Sequence, residues 1–222
     1  VTPQVALDND VILKLARYRL LQELADLLHA RGDGGVLGAA PYVVRDRLKK
    51  SVPSGEVPAA EEALDAFFAS VERLEPSDEE EMFAAELEEL AAREFLDLDA
   101  GESQLCAIVV SRLFERLLTG DKRAIRALDQ LTRGDQRLAH VRGRVACLEQ
   151  TMVSLAAGTL AAIREAVCSA PDADTSLRIC FQCSSADFSE ATCGDGLSSY
   201  VEDLRASAAE TLAPGISAWQ SD

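Results

Sequence analysis

Apolar positions change period twice within the first fifty residues. Val5-Ala6-Leu7 is a short apolar run ending at Asp8, and from Val11 to Leu28 apolar residues recur at helical spacing, so the pattern predicts a strand feeding a helix. Gly34-Gly35 interrupts the chain, and Val36 to Ala40 suits a second short strand. Pro41, with no amide hydrogen to lose, suits the first turn of a helix running to about Lys50. Ser51 to Pro58, with two prolines and a glycine, reads as a connection.

Two helices are then expected, at Pro58 to Leu74 and Ser77 to Phe95, each with an apolar stripe and a strongly acidic outer face. Ser77-Asp78-Glu79-Glu80 has the pattern of a capping box, in which the serine and the third-following glutamate satisfy each other's amides. A break at Asp97 to Gly101 precedes a helix from about Glu102 to Leu113, a strand ending in Leu117-Leu118-Thr119, a helix from Asp121 to Leu131, and a further strand around Leu138 to Val141. Val145 to Ile163 reads as a buried helix. Short strands alternating with longer helices predict an α/β fold, with a mainly parallel sheet covered on both faces. From about Ala166 the chain turns Ser-, Asp- and Cys-rich, with one expected strand at Leu177 to Phe181 and a closing helix from about Leu197 to Leu212. This divides the chain into a domain over residues 1–166, carrying an acidic helical insertion at about 56–96, and a cysteine-containing extension over 167–222.

At 222 residues and 48% apolar, the chain can bury a full core without staples. Its longest apolar stretch carries Glu149 and Gln150, so no membrane span or membrane partner is expected, and without a secretory pattern at the N-terminus the default compartment is cytoplasmic. Cys106 and Cys147 sit in apolar helical context, where a thiol acts as a small hydrophobe. A disulfide framework is not expected in such a chain. Cys180-x-x-Cys183, flanked by Cys168 and Cys193, has the composition of a four-thiolate structural Zn²⁺ site, although only one pair has close hairpin spacing; buried thiols near a strand are the alternative.

The net charge of -16 is hostile to nucleic acid until its distribution is considered. Glu56 to Glu102 holds 17 acidic residues against Arg73 and Arg93, which leaves the remainder of the chain close to neutral. Asp121 to Arg144 is locally basic, with seven basic residues against three acidic ones. Lys122, Arg123 and Arg126 follow Asp121 directly and are the candidate phosphate contacts. The acidic helices are expected either to dock a basic partner or to be a solvated face.

In a parallel α/β sheet the carboxyl ends of the strands share one edge, where ligands bind. Asp8 and Asp121 both fall where an apolar strand hands over to a helix, while Asp46 and Glu102 lie on helices that can face the same crevice. Clustered carboxylates repel one another unless a cation compensates them, and an all-oxygen set suits Mg²⁺ or Mn²⁺ better than zinc. The alternative is that each acid simply caps a helix or complements its dipole.

These residues resemble the PIN-domain family. Ala6-Leu7-Asp8-Asn9-Asp10-Val11-Ile12-Leu13 looks like its opening strand and acidic turn, and Ala40-Pro41-Tyr42-Val43-Val44-Arg45-Asp46 is similar to the segment supplying its second acid. Leu98-Asp99-Ala100-Gly101-Glu102-Ser103 looks like its Gly-Glu motif, and Leu117-Leu118-Thr119-Gly120-Asp121-Lys122-Arg123-Ala124 resembles the strand and acid near its end. The resemblance covers about residues 4 to 50 and 97 to 150. It implies a PIN-like, flavodoxin-like sheet and a metal-dependent endonuclease that acts on single-stranded RNA more often than on DNA. Such enzymes are often toxins held by an antitoxin inhibitor, and often homodimers. Asp8, Glu102 and Asp121 would hold one or two Mg²⁺ or Mn²⁺ ions, with Asp46 a ligand or an orienting base, and Asp99 and Asp10 as second candidates. Asp10 is more readily placed as fixing the turn after Asp8. The chain departs from the family pattern at Asp46, where glutamate is usual, at Arg144, where a small hydroxyl residue is frequent, and in the acidic helices.

Two other readings remain open. Asp8-Asn9-Asp10-Val11 also looks like the nucleophile turn of haloacid-dehalogenase-type phosphatases, with Gly120-Asp121 as their metal acid, but this leaves Glu102 without a role. A PIN-like binding or assembly module without catalysis is the other.

Overall fold

The computed structural model describes residues 4–156 and 159–219. Its sheet has five parallel strands, β1 (Val5–Leu7), β2 (Gly34–Leu37), β3 (Glu72–Leu74), β4 (Arg116–Leu118) and β5 (Val145–Ala146), in the order β3-β2-β1-β4-β5. The chain is thus an α/β protein with a doubly wound, flavodoxin-like sheet. Residues alternate between its two faces, as the pleat requires. Val5, Leu7, Val36, Leu118 and Ala146 enter one apolar cluster, while Ala6, Leu37, Leu74, Leu117 and Val145 enter the other. The first face is covered by α1 (Asn9–Arg17), α2 (Leu21–Arg31), α3 (Ala40–Ser51) and α4 (Val57–Ser70). The second is covered by α5 (Asp78–Arg93), α6 (Ala100–Ser111) and α7 (Lys122–Gly134).

The first helical run divides where Arg19 takes a left-handed φ of 58°. Tyr18, Leu20 and Leu21 on either side of the kink are all buried, so apolar spacing continued through it and hid it. Gly34 and Gly35 do not interrupt the chain but lie inside β2. A Cβ on Gly35 would stand 2.8 Å from Leu74, and one on Gly34 would stand 2.9 Å from both Leu7 and Leu28, so the neighbours pack directly on glycine backbone.

The expected acidic insertion is part of the sheet. Residues 72–74 form the edge strand β3, α4 is the crossover that reaches it against α1, α2 and α3, and α5 packs on α6. The expected capping box is present, with Ser77 N–H donating to Glu80 (2.8 Å) and Glu80 N–H to Ser77 Oγ (3.3 Å). The strand expected at Leu138 to Val141 is a 3₁₀ turn, Gln136–Val141, and the last strand follows it at β5.

The stretch Val145 to Ile163 is not one helix but yields α8 (Leu148–Leu155) and the start of α9 (Ala161–Ser169); residues 157 and 158 lie outside the described residues. The strand expected at Leu177 to Phe181 is instead the helix α10 (Thr175–Cys180), started by Asp174, whose side chain accepts the Leu177 amide (3.0 Å). After it comes α11 (Glu190–Ser207). The C-terminal extension packs into the domain, since Val167, Leu177, Cys180, Phe181 and Leu197 join the first apolar cluster and Val201, Leu204 and Leu212 the second. Leu212 bridges Val145 and Ala213 N–H donates to Val145 O (2.7 Å), so the open side of β5 is covered. Among the described residues, no helix is long and apolar enough to cross a membrane.

The cysteine expectations are corrected. Cys168 and Cys183 form a disulfide, with Cα atoms 5.1 Å apart, while Cys180 and Cys193 are buried free thiols. The helix at 175–180 turns Cys180 inward, and the following turn, with Gln182 at φ 52°, sends Cys183 to Cys168 instead. The four sulfurs therefore do not form a zinc site. Cys106 and Cys147 are core thiols as expected.

Candidate metal centre

Strand order reverses direction between β1 and β4, and in open parallel sheets the crevice for ligands lies outside such a switch point. Asp8 follows β1 and Asp121 follows β4, so the two acids flank it. The Asp8 amide donates to Leu118 O (2.9 Å), fixing the turn to β4, and its carboxylate is buried. Thr119 joins the two acids: its hydroxyl donates to Asp8 Oδ2 (3.1 Å) and accepts the Asp121 amide (3.1 Å).

Asp8 occupies the N-cap position of α1 without making a capping hydrogen bond, although the Asn9 and Asp10 amides lie close enough to favour its charge slightly. Capping therefore does not account for it. Burial, reinforced by the charge of Asp10, pushes its pKa up to about 6. Glu102 caps more conventionally: its Oε2 accepts the Asp99 amide (2.9 Å), and Asp99 Oδ1 accepts the Glu102 amide (2.9 Å). Burial first, then the charges of Asp99, Asp8 and Asp121, push Glu102 up to about 8. Asp8 and Asp121 thus lie near enough for their charges to act on Glu102.

Asp121 caps α7, accepting the amides of Arg123 (2.7 Å) and Ala124 (3.4 Å) and the Arg123 guanidinium (2.9 Å). Burial pushes it up, but the Arg123 hydrogen bonds and charge outweigh this and hold it below the usual carboxylate value. Asp10 pairs with Lys14 (2.8 Å) and passes over Gly120, where an added Cβ would meet its Oδ2 at 2.3 Å. Its role is thus an ion pair on α1 rather than a local turn.

Asp46 is not brought into the crevice. It lies on the outer side of α3, exposed and paired with Lys50 (2.6 Å), because Val44 and Leu48 take the inward positions of that helix. Lys122 turns away from the crevice to Glu149 (2.5 Å) and the Tyr200 ring, and Arg126 to Ser207 (2.9 Å) and Asp203. Of the three expected phosphate contacts, only Arg123 stands at the acids. Arg144 precedes β5 and so lies at the opposite sheet edge.

Sequence reading missed Thr119 as a link between the acids and Glu75 as a neighbour of the crevice, whose carboxylate covers Gly38 at the ends of β2 and β3. It also missed Asp174, which meets Lys14 (2.9 Å) from the C-terminal part. Thr119 was visible within Thr-Gly-Asp, but nothing local could show Asp174.

The donors at the switch point are carboxylate oxygens, and two are raised by burial and by neighbouring carboxylates, Asp10 at Asp8, and Asp99, Asp8 and Asp121 at Glu102, the environment that an Mg²⁺ or Mn²⁺ ion would relieve. As they stand, no three Asp, Glu, His or Cys side chains among the described residues converge tightly enough to enclose an ion. Asp121 would have to loosen from Arg123 to join Asp8 and Glu102. No family model, curated protein or solved structure matches the chain.

Proposed function

We propose that the chain is a metal-dependent endonuclease, acting on single-stranded RNA, whose centre is Asp8, Glu102 and Asp121. The observation that carries this reading is the pair of buried carboxylates, Asp8 and Glu102, raised to about 6 and about 8 beside Asp121 at the switch point of the sheet. Perturbed acids clustered in a ligand crevice are what a cation-assisted hydrolase needs. RNA as substrate, an antitoxin-like inhibitor and a homodimer follow from the PIN-domain resemblance of the motifs around these residues. The phosphatase reading still leaves Glu102 idle, and Asp10 of its nucleophile turn is engaged in an ion pair with Lys14 (2.8 Å).

When bound, Mg²⁺ or Mn²⁺ supplies a water of lowered pKa and neutralises charge on the phosphodiester. The chain's own part is to hold the ion with Asp8, Glu102 and Asp121. Thr119 fixes the Asp8 carboxylate and the Asp121 backbone relative to each other. Arg123, largely exposed, can turn from Asp121 to a phosphate oxygen.

The test is cleavage of an end-labelled single-stranded RNA with Mn²⁺, with Mg²⁺ and with EDTA. The wild type is expected to cut only with metal, and Asp8→Asn and Glu102→Gln, each checked for folding, to lose cleavage. Metal-independent cutting, or folded variants that still cut, would refute the proposal.

A further inference from the structure

Far from the acids, where α1 ends, two cavities of about 460 and 480 Å³ share Arg17, Arg19, Val52 and Glu56, and so form one cleft. α1 begins beside Asp8 and carries Arg17 as its last residue, which sets the cleft roughly 13 Å from the acids along the helix at 1.5 Å per residue. The inner chamber is apolar, walled by Ala25, Val52, Ala59, Ala63 and Phe67. Its alanines on α4 leave space where longer side chains would close the gap to α2. The volume is within the roughly 300–1,000 Å³ of small-molecule sites.

The mouth carries, beside Glu56 and Asp172, the cations Arg17, Arg19 and Lys50. Each is held by an acid that itself faces solvent: Arg17 by Asp172 (2.6 Å), Arg19 by Glu56 (2.8 Å) and Lys50 by Asp46 (2.6 Å). The Arg19 and Lys50 pairs, exposed on both sides, are worth only about 0–1 kcal/mol, so an incoming anion can replace those acids at small cost; Arg17 is itself largely buried, and its exposed partner Asp172 is the half that an anion can replace. Arg17 is seated with its Nε buried, so it meets the cleft through the terminal nitrogen that Asp172 now holds (2.6 Å). Arg19, in its left-handed conformation at the kink between α1 and α2, brings its guanidinium to the same rim.

We infer that this cleft binds a small amphiphile, an apolar chain in the alanine-walled chamber with an anionic carboxylate or similar head group on Arg17 and Arg19. The chamber takes the chain because it exposes apolar surface to water, and the head is fixed by the charge-assisted hydrogen bonds that Asp172 and Glu56 now make to Arg17 and Arg19.

Calorimetry of the full chain in EDTA with decanoate, 1-decanol and acetate tests this independently of any nuclease chemistry. Decanoate is expected to saturate one site, 1-decanol to bind about tenfold more weakly or worse, and acetate not to bind measurably. Ala63→Trp, at an exposed position of α4, should remove decanoate binding without lowering Tm, and Arg17→Gln should bring the affinity for decanoate down to that for 1-decanol. No saturable decanoate binding, equal affinity for decanoate and 1-decanol in the wild type, or unchanged binding in Ala63→Trp would each overturn the inference. So would loss of a dimer in Ala63→Trp without decanoate binding in the wild type, which would make the cleft a seat for a second copy.

Discussion

Glu102→Gln in the metal-free protein isolates the electrostatic strain at the centre. The substitution keeps the side-chain shape and an acceptor for the Asp99 amide, so the capping box survives. The Glu102 pKa is raised from 4.5 to about 8, burial being the larger cause and the neighbouring carboxylates the next source of upward push. Between these values the folded chain holds a proton that the unfolded chain releases, so stability falls as pH rises through that window. At about 1.36 kcal/mol per unit, full ionisation of Glu102 costs at most about 4–5 kcal/mol. Wild type and variant should therefore differ little at pH 5, where the folded Glu102 is neutral and only the start of the window has been crossed. At pH 9 the variant should be more stable by up to that amount, a rise in Tm on the order of 10 °C for a chain of this length. Urea unfolding in EDTA at the two pH values measures the difference. A gap that is the same at pH 5 and pH 9, or a variant weaker at pH 9, would refute the argument that Glu102 is destabilised as an anion.

Asp46→Asn should leave both Mn²⁺-dependent cleavage and stability as in the wild type, since an exposed i,i+4 pair is worth about 0.3–0.5 kcal/mol; loss of cleavage would return Asp46 to the centre. Gly120→Ala places a Cβ 2.3 Å from Asp10 Oδ2 and should cost about 1–3 kcal/mol in urea unfolding as Asp10 is pushed off Lys14, whereas wild-type stability would show that Asp10 moves freely. Lys122→Met strands Glu149, which is buried with one oxygen already lacking a partner, and should cost about 3–5 kcal/mol. Adding Glu149→Leu should recover most of that loss, and an equal loss in the single and double variants would contradict a compensating pair.

The parallel sheet was legible because β1 and β4 are short apolar runs ending at an acid, and because the helices after them keep their period. β3 was not, because Val71-Glu72-Arg73-Leu74 continues the spacing of α4 and only pairing with β2 makes it a strand. β5 has two residues, too few for any period, and its place is set by Leu117 N–H reaching Arg144 O and by the returning chain at Leu212. Gly34-Gly35 reads locally as a break, and the side chains that require glycine there come from residues 7, 28 and 74. The site was legible at Asp8, Glu102 and Asp121 because each sits at a strand-to-helix junction or a helix start. Asp46 was misplaced because motif spacing fixes position along α3, while the inward turns of Val44 and Leu48 decide which side faces the sheet.

The basic segment from Asp121 to Arg144 illustrates why local charge does not make a binding face. Lys122 is spent on Glu149, Arg126 on Asp203 and Ser207, Arg133 on Asp129, Arg137 on Asp135 and Glu86, and Arg142 on Glu210. Arg126 and Arg142 reach the C-terminal part, Arg137 reaches α5, Lys122 reaches α8 and Arg133 pairs within α7, so the charge that looked available to phosphate already has acid partners. Arg123 differs, because its partner is itself an acid of the proposed centre. A polyanion approaching this crevice meets the Asp8, Asp99 and Asp121 carboxylates, while Arg123 is held by Asp121 and Lys14 by Asp10 and Asp174, so repulsion dominates. On the proposed reading the divalent ion then does two things at once: it reverses the sign of the crevice, and by taking over Asp121 it releases Arg123 toward phosphate. On that reading RNA binding, and not cleavage alone, is expected only of the metal-loaded chain.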